Sequence, residues 1–300
     1  MNLMQTPNKS VRLGIIGSEN THALGIAKSC NLQGLVPMQV THLWGETADL
    51  RTKTAIEGRI PHQVQDWRAM EGQVDGVMID HRHGDLHEEP ARYFLSLGLP
   101  VFVDKPMTCR LSTAQELLLL AESHKAPLLT FGSKPLQSCF QAFARDIRAA
   151  GGARAYHSAG PCDIKSIYGG VFFYGIHQVE AAEEVLGTAA ESVACHVSGR
   201  NAVAVILFSS GRSATLQFLV DGKPGFHWAA HLDDGKTLCQ TDEGDAVPYL
   251  KSASLICNLL THGEVPFSRE HMLAPIAILE AMERSLGSGC PETVQPLGLG

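Results

Sequence analysis

Three groups in this chain can do chemistry together: a lysine at a strand end, a histidine behind paired glycines, and a glycine turn before a helix. Lys105 closes the run Val101-Phe-Val-Asp104-Lys105-Pro106. A short apolar run reads as a strand buried on both faces. Lys105 therefore emerges at the carboxyl end of a strand, where open parallel sheets bind ligands. Its ammonium can donate to a reacting oxygen and stabilise developing negative charge. Pro106 holds the backbone there extended or cis. The same Asp-Lys pair also reads as a plain surface ion pair. His177 lies in Gly169-Gly-Val-Phe-Phe173-Tyr174-Gly-Ile-His177. A histidine, with a pKa of about 6.5, takes or gives a proton near neutrality. Packed among aromatics, it reads equally as a core residue.

The turn is Leu13-Gly14-Ile-Ile-Gly17-Ser18-Glu19-Asn-Thr21-His22. A strand, a glycine and a helix start place backbone N–H groups and a positive helix end where a Rossmann unit holds pyrophosphate. Of the GxGxxG fingerprint only Gly17 is in register, and Thr21-His22 stand at the last glycine. The turn reads as a phosphate cradle or as a plain strand–helix turn. Glu46, beyond the second strand, can accept from ribose hydroxyls and repel a 2′-phosphate, or be a solvated loop residue. No Arg lies within four residues of it, so NAD is expected over NADP. The run Asp80-His81-Arg-His83-Gly-Asp85-Leu-His87 is close to a binuclear metal motif, but its last His comes one residue late. Later His ligands show no matching spacing, so no metal is expected.

The elements that must position these groups fall into two rhythms. Strands over 11–17, 38–45, 76–80, 100–104 and 127–131 alternate with helices over 21–31 and 88–97. A capping-box pattern at Ser112–Gln115 precedes another helix. Repeated βα units imply a parallel sheet covered on both faces. After residue 132 a helix over 137–150 stops at Gly151-Gly152. Strands over 191–197, 202–209, 213–220 and 227–232 follow, with turn signals at Ser210-Gly211 and Asp234-Gly235. Helices are expected over 178–186 and 272–286, with Pro275 in a first turn or at a kink. The expected organisation is an α/β Rossmann-like domain over 1–132. An α+β domain with an open, mainly antiparallel sheet follows over 133–300.

The 300 residues carry a net charge of −7 and are 44% hydrophobic and 18% charged, which suits a folded chain of about two domains. No basic cluster suggests nucleic acid, and no apolar stretch is long enough for a membrane. The start MNLMQTPNKS has no signal-peptide core, so a cytoplasmic location is expected. Eight cysteines without CxxC spacing are expected as reduced thiols. The strand over 202–208 is too apolar to face water, so a homo-oligomer, dimer or tetramer, is expected.

In order, these segments resemble the Gfo/Idh/MocA family of oxidoreductases over most of the chain. Asp104-Lys105-Pro106 stands where that family has Glu-Lys-Pro. Gly175-Ile-His177 matches its D-x-G-x-H segment, and 79–90 matches its strand, loop, His and helix. The resemblance implies hydride exchange between NAD(P) and a sugar, cyclitol or related polyol. Lys105 would orient the reacting oxygen and His177 would shuttle its proton, with Tyr168 and Tyr174 near the substrate. Gly14, Gly17, Ser18, Thr21, His22 and Glu46 would contact the cofactor from the first half of the sheet. Asp80, His83, His87, Asp104, Lys105 and Pro106 would contact it from the second. Two departures stand out: the later fingerprint glycines are absent, and Phe173 replaces the acid four residues before His177. A non-catalytic binding or regulatory protein on the same scaffold is the alternative.

Overall fold

The computed structural model describes residues 10–221 and 225–298. The first sheet is built from β1 (Val11–Ile16), β2 (Met38–Trp44), β3 (His62–Gln63), β4 (Gly76–Ile79), β5 (Val101–Asp104) and β6 (Leu128–Phe131). The order is β3-β2-β1-β4-β5-β6, with every neighbouring pair parallel. Strand order reverses between β1 and β4, which opens the crevice in which doubly wound sheets bind ligands. β4, β5 and β6 are buried at every residue, as their continuous apolar runs require. The helices are α1 (Thr21–Ala27), α2 (Ala48–Gly58), α3 (Glu88–Ser96) and α4 (Leu111–His124). α4 starts one residue before the expected capping box. Arg110 holds its cap position and Ser112 is already helical, so that pattern caps nothing.

The second sheet follows α5 (Ser138–Ala149). Its strands are β7 (Ala153–Pro161), β8 (Ala190–Ser198), β9 (Asn201–Phe208), β10 (Ser213–Leu219), β11 (His227–Leu232), β12 (Thr237–Thr241) and β13 (Glu292–Thr293). The order is β12-β11-β7-β10-β9-β8-β13. Only β7–β10 is parallel, so the sheet is mixed and mainly antiparallel. β7 escapes the sequence reading because its small and polar residues, with Tyr156 the one large inward side chain, give a weak alternation. Helices α6 (Val171–Leu186) and α8 (Arg269–Ser288) cover one face of this sheet. Pro275 lies in the second turn of α8, inside the helix and buried. Alternation in β9 sends Ala202, Ala204, Ile206 and Phe208 inward; Val203 and Val205 are half-buried on the other face, and Leu207 is exposed there.

Helix α7 (Leu250–His262) lies late in sequence but packs with β1, β5 and α1. Its Ala253, Ile256, Cys257 and Leu259 share one apolar cluster with Leu13, Ile15, Phe102 and Leu129. The expected division at residue 132 thus follows the chain, while in space the first sheet takes a helix from beyond it. All eight cysteines are free. No helix among the described residues is long and apolar enough to cross a membrane.

A candidate active site at the junction of the two sheets

Gly17 ends β1 with φ +119°, and a Cβ there would lie 2.7 Å from the Asp80 carbonyl carbon. Glycine lets the turns after β1 and β4 touch. Gly14 has a different task from the expected cofactor contact. Its missing Cβ makes room for Met70 Sδ, 2.7 Å from where that atom would sit, so it serves packing. The backbone N–H groups of Ser18 and Glu19 donate to Glu46 Oε2 at 2.8 and 3.1 Å, and Ser18 Oγ donates to it at 3.2 Å. Glu46 therefore turns inward onto the cradle rather than outward to a ribose. The last residue of β2 is Trp44, in register with Ile16. Its ring lies 5.6 Å from that of His81, so the strand end carries an aromatic instead of an acid.

The cradle suits an anion, because a carboxylate of the same chain already stands in for one. The other Glu46 oxygen, Oε1, is buried without a partner. These are the donors that a dinucleotide's pyrophosphate would take in place of Glu46.

Behind the turn lies a buried polar cluster. Asn20 Nδ2 donates to Asp80 Oδ1 at 3.0 Å and to Asp104 Oδ2 at 3.1 Å. Asp80 Oδ2 accepts from the Ala23 N–H, at the start of α1, at 2.7 Å. His22 Nδ1 is 3.0 Å from Asp104 Oδ1, and Lys105 Nζ is 3.5 Å from Asp104 Oδ2. Burial and the neighbouring Asp104 push Asp80 well above the ordinary carboxylate range. Burial also opposes ionisation of Asp104, but His22 and Lys105 outweigh it and hold its pKa below the ordinary value. The two carboxyls are thus pushed in opposite directions, as expected of close acids with different partners. The Lys105–Pro106 bond is cis.

The facing wall comes from α6. Gly169 and Gly170 take positive φ, and the helix begins at once at Val171 rather than at the expected 178. His177 therefore lies in its second turn. It is buried, and its Nδ1 has no hydrogen-bond partner among the described residues. Burial, with Lys105 and Lys134 nearby, lowers its pKa well below the ordinary value, so the ring is neutral. Phe173, one turn earlier, lies under the Lys105 ammonium at 5.4 Å from the ring centre. The Tyr168 hydroxyl donates to Glu19 Oε1 at 2.5 Å and accepts from Arg82 at 3.3 Å, closing the junction beside the turn.

A cavity of about 500 Å3 opens between these walls. His22, Tyr174 and His177 line it together with Lys134, Asp242 and Tyr249. Lys134 and Asp242 form an ion pair across it. Lys105 lies behind the cavity, 4% exposed, against Asp104 and Phe173. Thr21 is exposed at the first position of α1.

The run 80–87 splits up. His87 is fully buried and bridges the His81 carbonyl at 2.9 Å and the Pro106 carbonyl at 3.0 Å. It braces the Lys105-Pro106 turn from inside and does not reach a cofactor as expected. His83 Nδ1 accepts from the Asp85 N–H at 3.2 Å and caps a short helical turn. The sequence reading missed Asn20, Lys134, Asp242 and Tyr249. A signal existed for Lys134, which follows the end of β6 by three residues at the same sheet edge as Lys105.

Residues 11–131 match a family model described as an oxidoreductase family with an NAD-binding Rossmann fold, GFO_IDH_MocA. No curated protein sequence matches the chain. Solved structures match it almost end to end. GenD2 from gentamicin A biosynthesis, in complex with NAD, is 15% identical with a TM-score of 0.81, covering 97% of this chain and 98% of its own. Myo-inositol 2-dehydrogenase from Lactobacillus plantarum is 15% identical with a TM-score of 0.81, covering 96% and 100%. Scyllo-inositol dehydrogenase from Lactobacillus casei, with bound NAD(H) and scyllo-inositol, is 12% identical with a TM-score of 0.81, covering 95% and 99%. At such identities the likeness is one of fold. Residues 11–131 thus match the model of the Gfo/Idh/MocA oxidoreductase family, and over its full length the chain shares the two-part fold of those structures.

Proposed function

We propose that the protein is a nicotinamide-dependent dehydrogenase acting on a sugar, cyclitol or related polyol. The observation that carries this reading is the cavity of about 500 Å3 beyond the carboxyl end of β6, with His22 of α1 on its wall. It is walled by imidazoles, an ion pair and two tyrosines, a lining that matches several hydroxyl groups at once. The dinucleotide, held on the Ser18 and Glu19 N–H groups with Glu46 displaced, supplies a hydride acceptor or donor. Lys105 places fixed positive charge behind the reacting oxygen. His177, neutral and unpartnered, offers a hydrogen bond to a substrate hydroxyl. NAD stands ahead of NADP because no Arg lies within four residues of Glu46 to pair with a 2′-phosphate beyond the second strand. A second copy of the chain covers the outer face of β9 and its neighbours. Titration of NAD(H) and NADP(H) by fluorescence, followed by absorbance assays over a polyol panel, tests this. Absence of dinucleotide-linked turnover on every polyol refutes it.

Glu46 on the cradle and Trp44 at the end of β2 favour a second reading, a binding protein that has kept the scaffold without the cofactor. Dinucleotide binding separates the two. No binding with Glu46 intact or replaced selects the second.

A further inference from the structure

We infer that His22, oriented by Asp104, is the general acid–base of this cleft. The inference rests on the reading of the cavity as an alcohol-oxidising site. His22 stands where the fingerprint has its last glycine, at the start of α1. Asp104 stands 82 residues later, at the end of β5. The fold closes that gap to a 3.0 Å contact between Asp104 Oδ1 and His22 Nδ1. A carboxylate that accepts from Nδ1 fixes the ring's orientation and tautomer and leaves the Nε2 lone pair free. Imidazole geometry puts Nε2 on the far side of the ring from that contact, and the ring lines the cavity. The arrangement is a base with its orienting acid, one of the signatures of proton-transfer sites.

The contrast with His177 supports this choice. His177 has no partner at Nδ1, and Phe173 fills the place one turn before it. A ring with no orienting acid beside two lysines is a poor base. The two departures from the family pattern then have one explanation. The acid–base pair sits on the wall of the first sheet, built from the lost glycine and the strand-end acid.

The step balances simply. The substrate O–H bond breaks, its proton bonds to Nε2, and the electron pair stays on oxygen. The carbon–oxygen double bond forms as the hydride leaves for the nicotinamide ring. In reverse, Nε2 returns the proton. The charged and titratable groups facing His22 are Asp80 just after β4, Asp104 at the end of β5, Lys105 just after it, and Tyr249 ahead of α7. Lys134, His177, Asp242, Asp245 and Lys251 share the cavity with it.

Two measurements on the full chain test the assignment. The first needs no substrate: long-range 1H–15N correlation spectra of histidine-labelled protein, read at alkaline pH. The Nδ1–H tautomer is expected, and Asp104→Asn should weaken that preference. An Nε2–H tautomer overturns the proposal. The second uses NAD and whichever polyol the wild type oxidises. His22→Gln should lower kcat by roughly a hundredfold with KM within a few-fold. Asp104→Asn should lower kcat with KM within a few-fold, since the ring loses the acid that orients it. Full kcat in a folded His22→Gln variant overturns the proposal. If the wild type oxidises no polyol, the alcohol-oxidising reading fails, and the tautomer alone decides whether the poised base exists.

Discussion

Glu46 Oε2 sits 2.8 Å from the backbone nitrogen of Ser18, so the chain fills its own anion cradle with its own carboxylate. Hydrogen bonds to a charged group contribute about 1.5–3 kcal/mol each, and an incoming pyrophosphate must replace them. Glu46→Ala should therefore bind NAD(H) more tightly, by roughly tenfold, in a fluorescence titration. Weaker binding would restore Glu46 to the ribose.

Lys105, buried, lies 3.5 Å from Oδ2 of Asp104, while His22 contacts its Oδ1. Lys105→Met should lower kcat and kcat/KM together, by roughly a hundredfold or more, because its charge acts on the reacting oxygen as it develops. Steady-state kinetics on a proven substrate checks this, with undiminished turnover as the contrary result.

Gly17 cannot accept a side chain. Its φ of +119° and the Asp80 backbone 2.7 Å from a built Cβ act together. Gly17→Ala should destabilise the protein by at least about 2 kcal/mol, measured by urea denaturation. An unchanged midpoint would mean the two turns do not meet in solution.

Much of this was legible because the physics is local. β4, β5 and β6 are short apolar runs with nowhere to go but a doubly covered sheet, and Lys105 ends one of them. β7 was not legible, since its partners β10 and β11 supply the packing that its own residues do not advertise. α7 carried a helical spacing at Ala253, Ile256, Cys257 and Leu260 before Gly263, yet its position among antiparallel strands hid its true partner. Glu46 was legible as a loop acid, but its contact with the Ser18 and Glu19 N–H groups was not. The Asp104–His22 pair joins residues 82 apart, and only the folded sheet brings them together.

Glu180 and Glu183 stand buried on α6. Glu180 Oε1 accepts from the Gly132 N–H at 2.8 Å, and neither Glu183 oxygen has a partner. Burial raises Glu180 to about 8 and Glu183 well above its ordinary value. An acid whose folded pKa is raised holds its proton better folded than unfolded. The Glu180 contribution is therefore complete below about 4.5 and declines until about pH 8. Glu183→Met should raise stability at pH 7 by about 1–3 kcal/mol, and Glu180→Gln should flatten the decline between those limits. Thermal melts across that range read both effects; a less stable Glu183→Met would contradict them.

Val203, Val205 and Leu207 share the open face of β9. Light scattering should give two or four chains per particle, and Val205→Asp with Leu207→Asp should give one. A single-chain particle in the wild type at every concentration would refute the covering copy.

The return of α7 to the first sheet has a consequence for how the protein is made. On a ribosome, β1 to β6 emerge long before residues 250–262, so the part of the sheet face that α7 covers waits without it while the second sheet is still being synthesised, with only α1 and α2 beside it. A fragment released at residue 132 would lack Ile256 and Leu259 over Leu13, Ile15 and Phe102. The nascent chain is thus most exposed to aggregation at mid-synthesis. Ile256 and Leu259, late in sequence, close the interval that β1 opens.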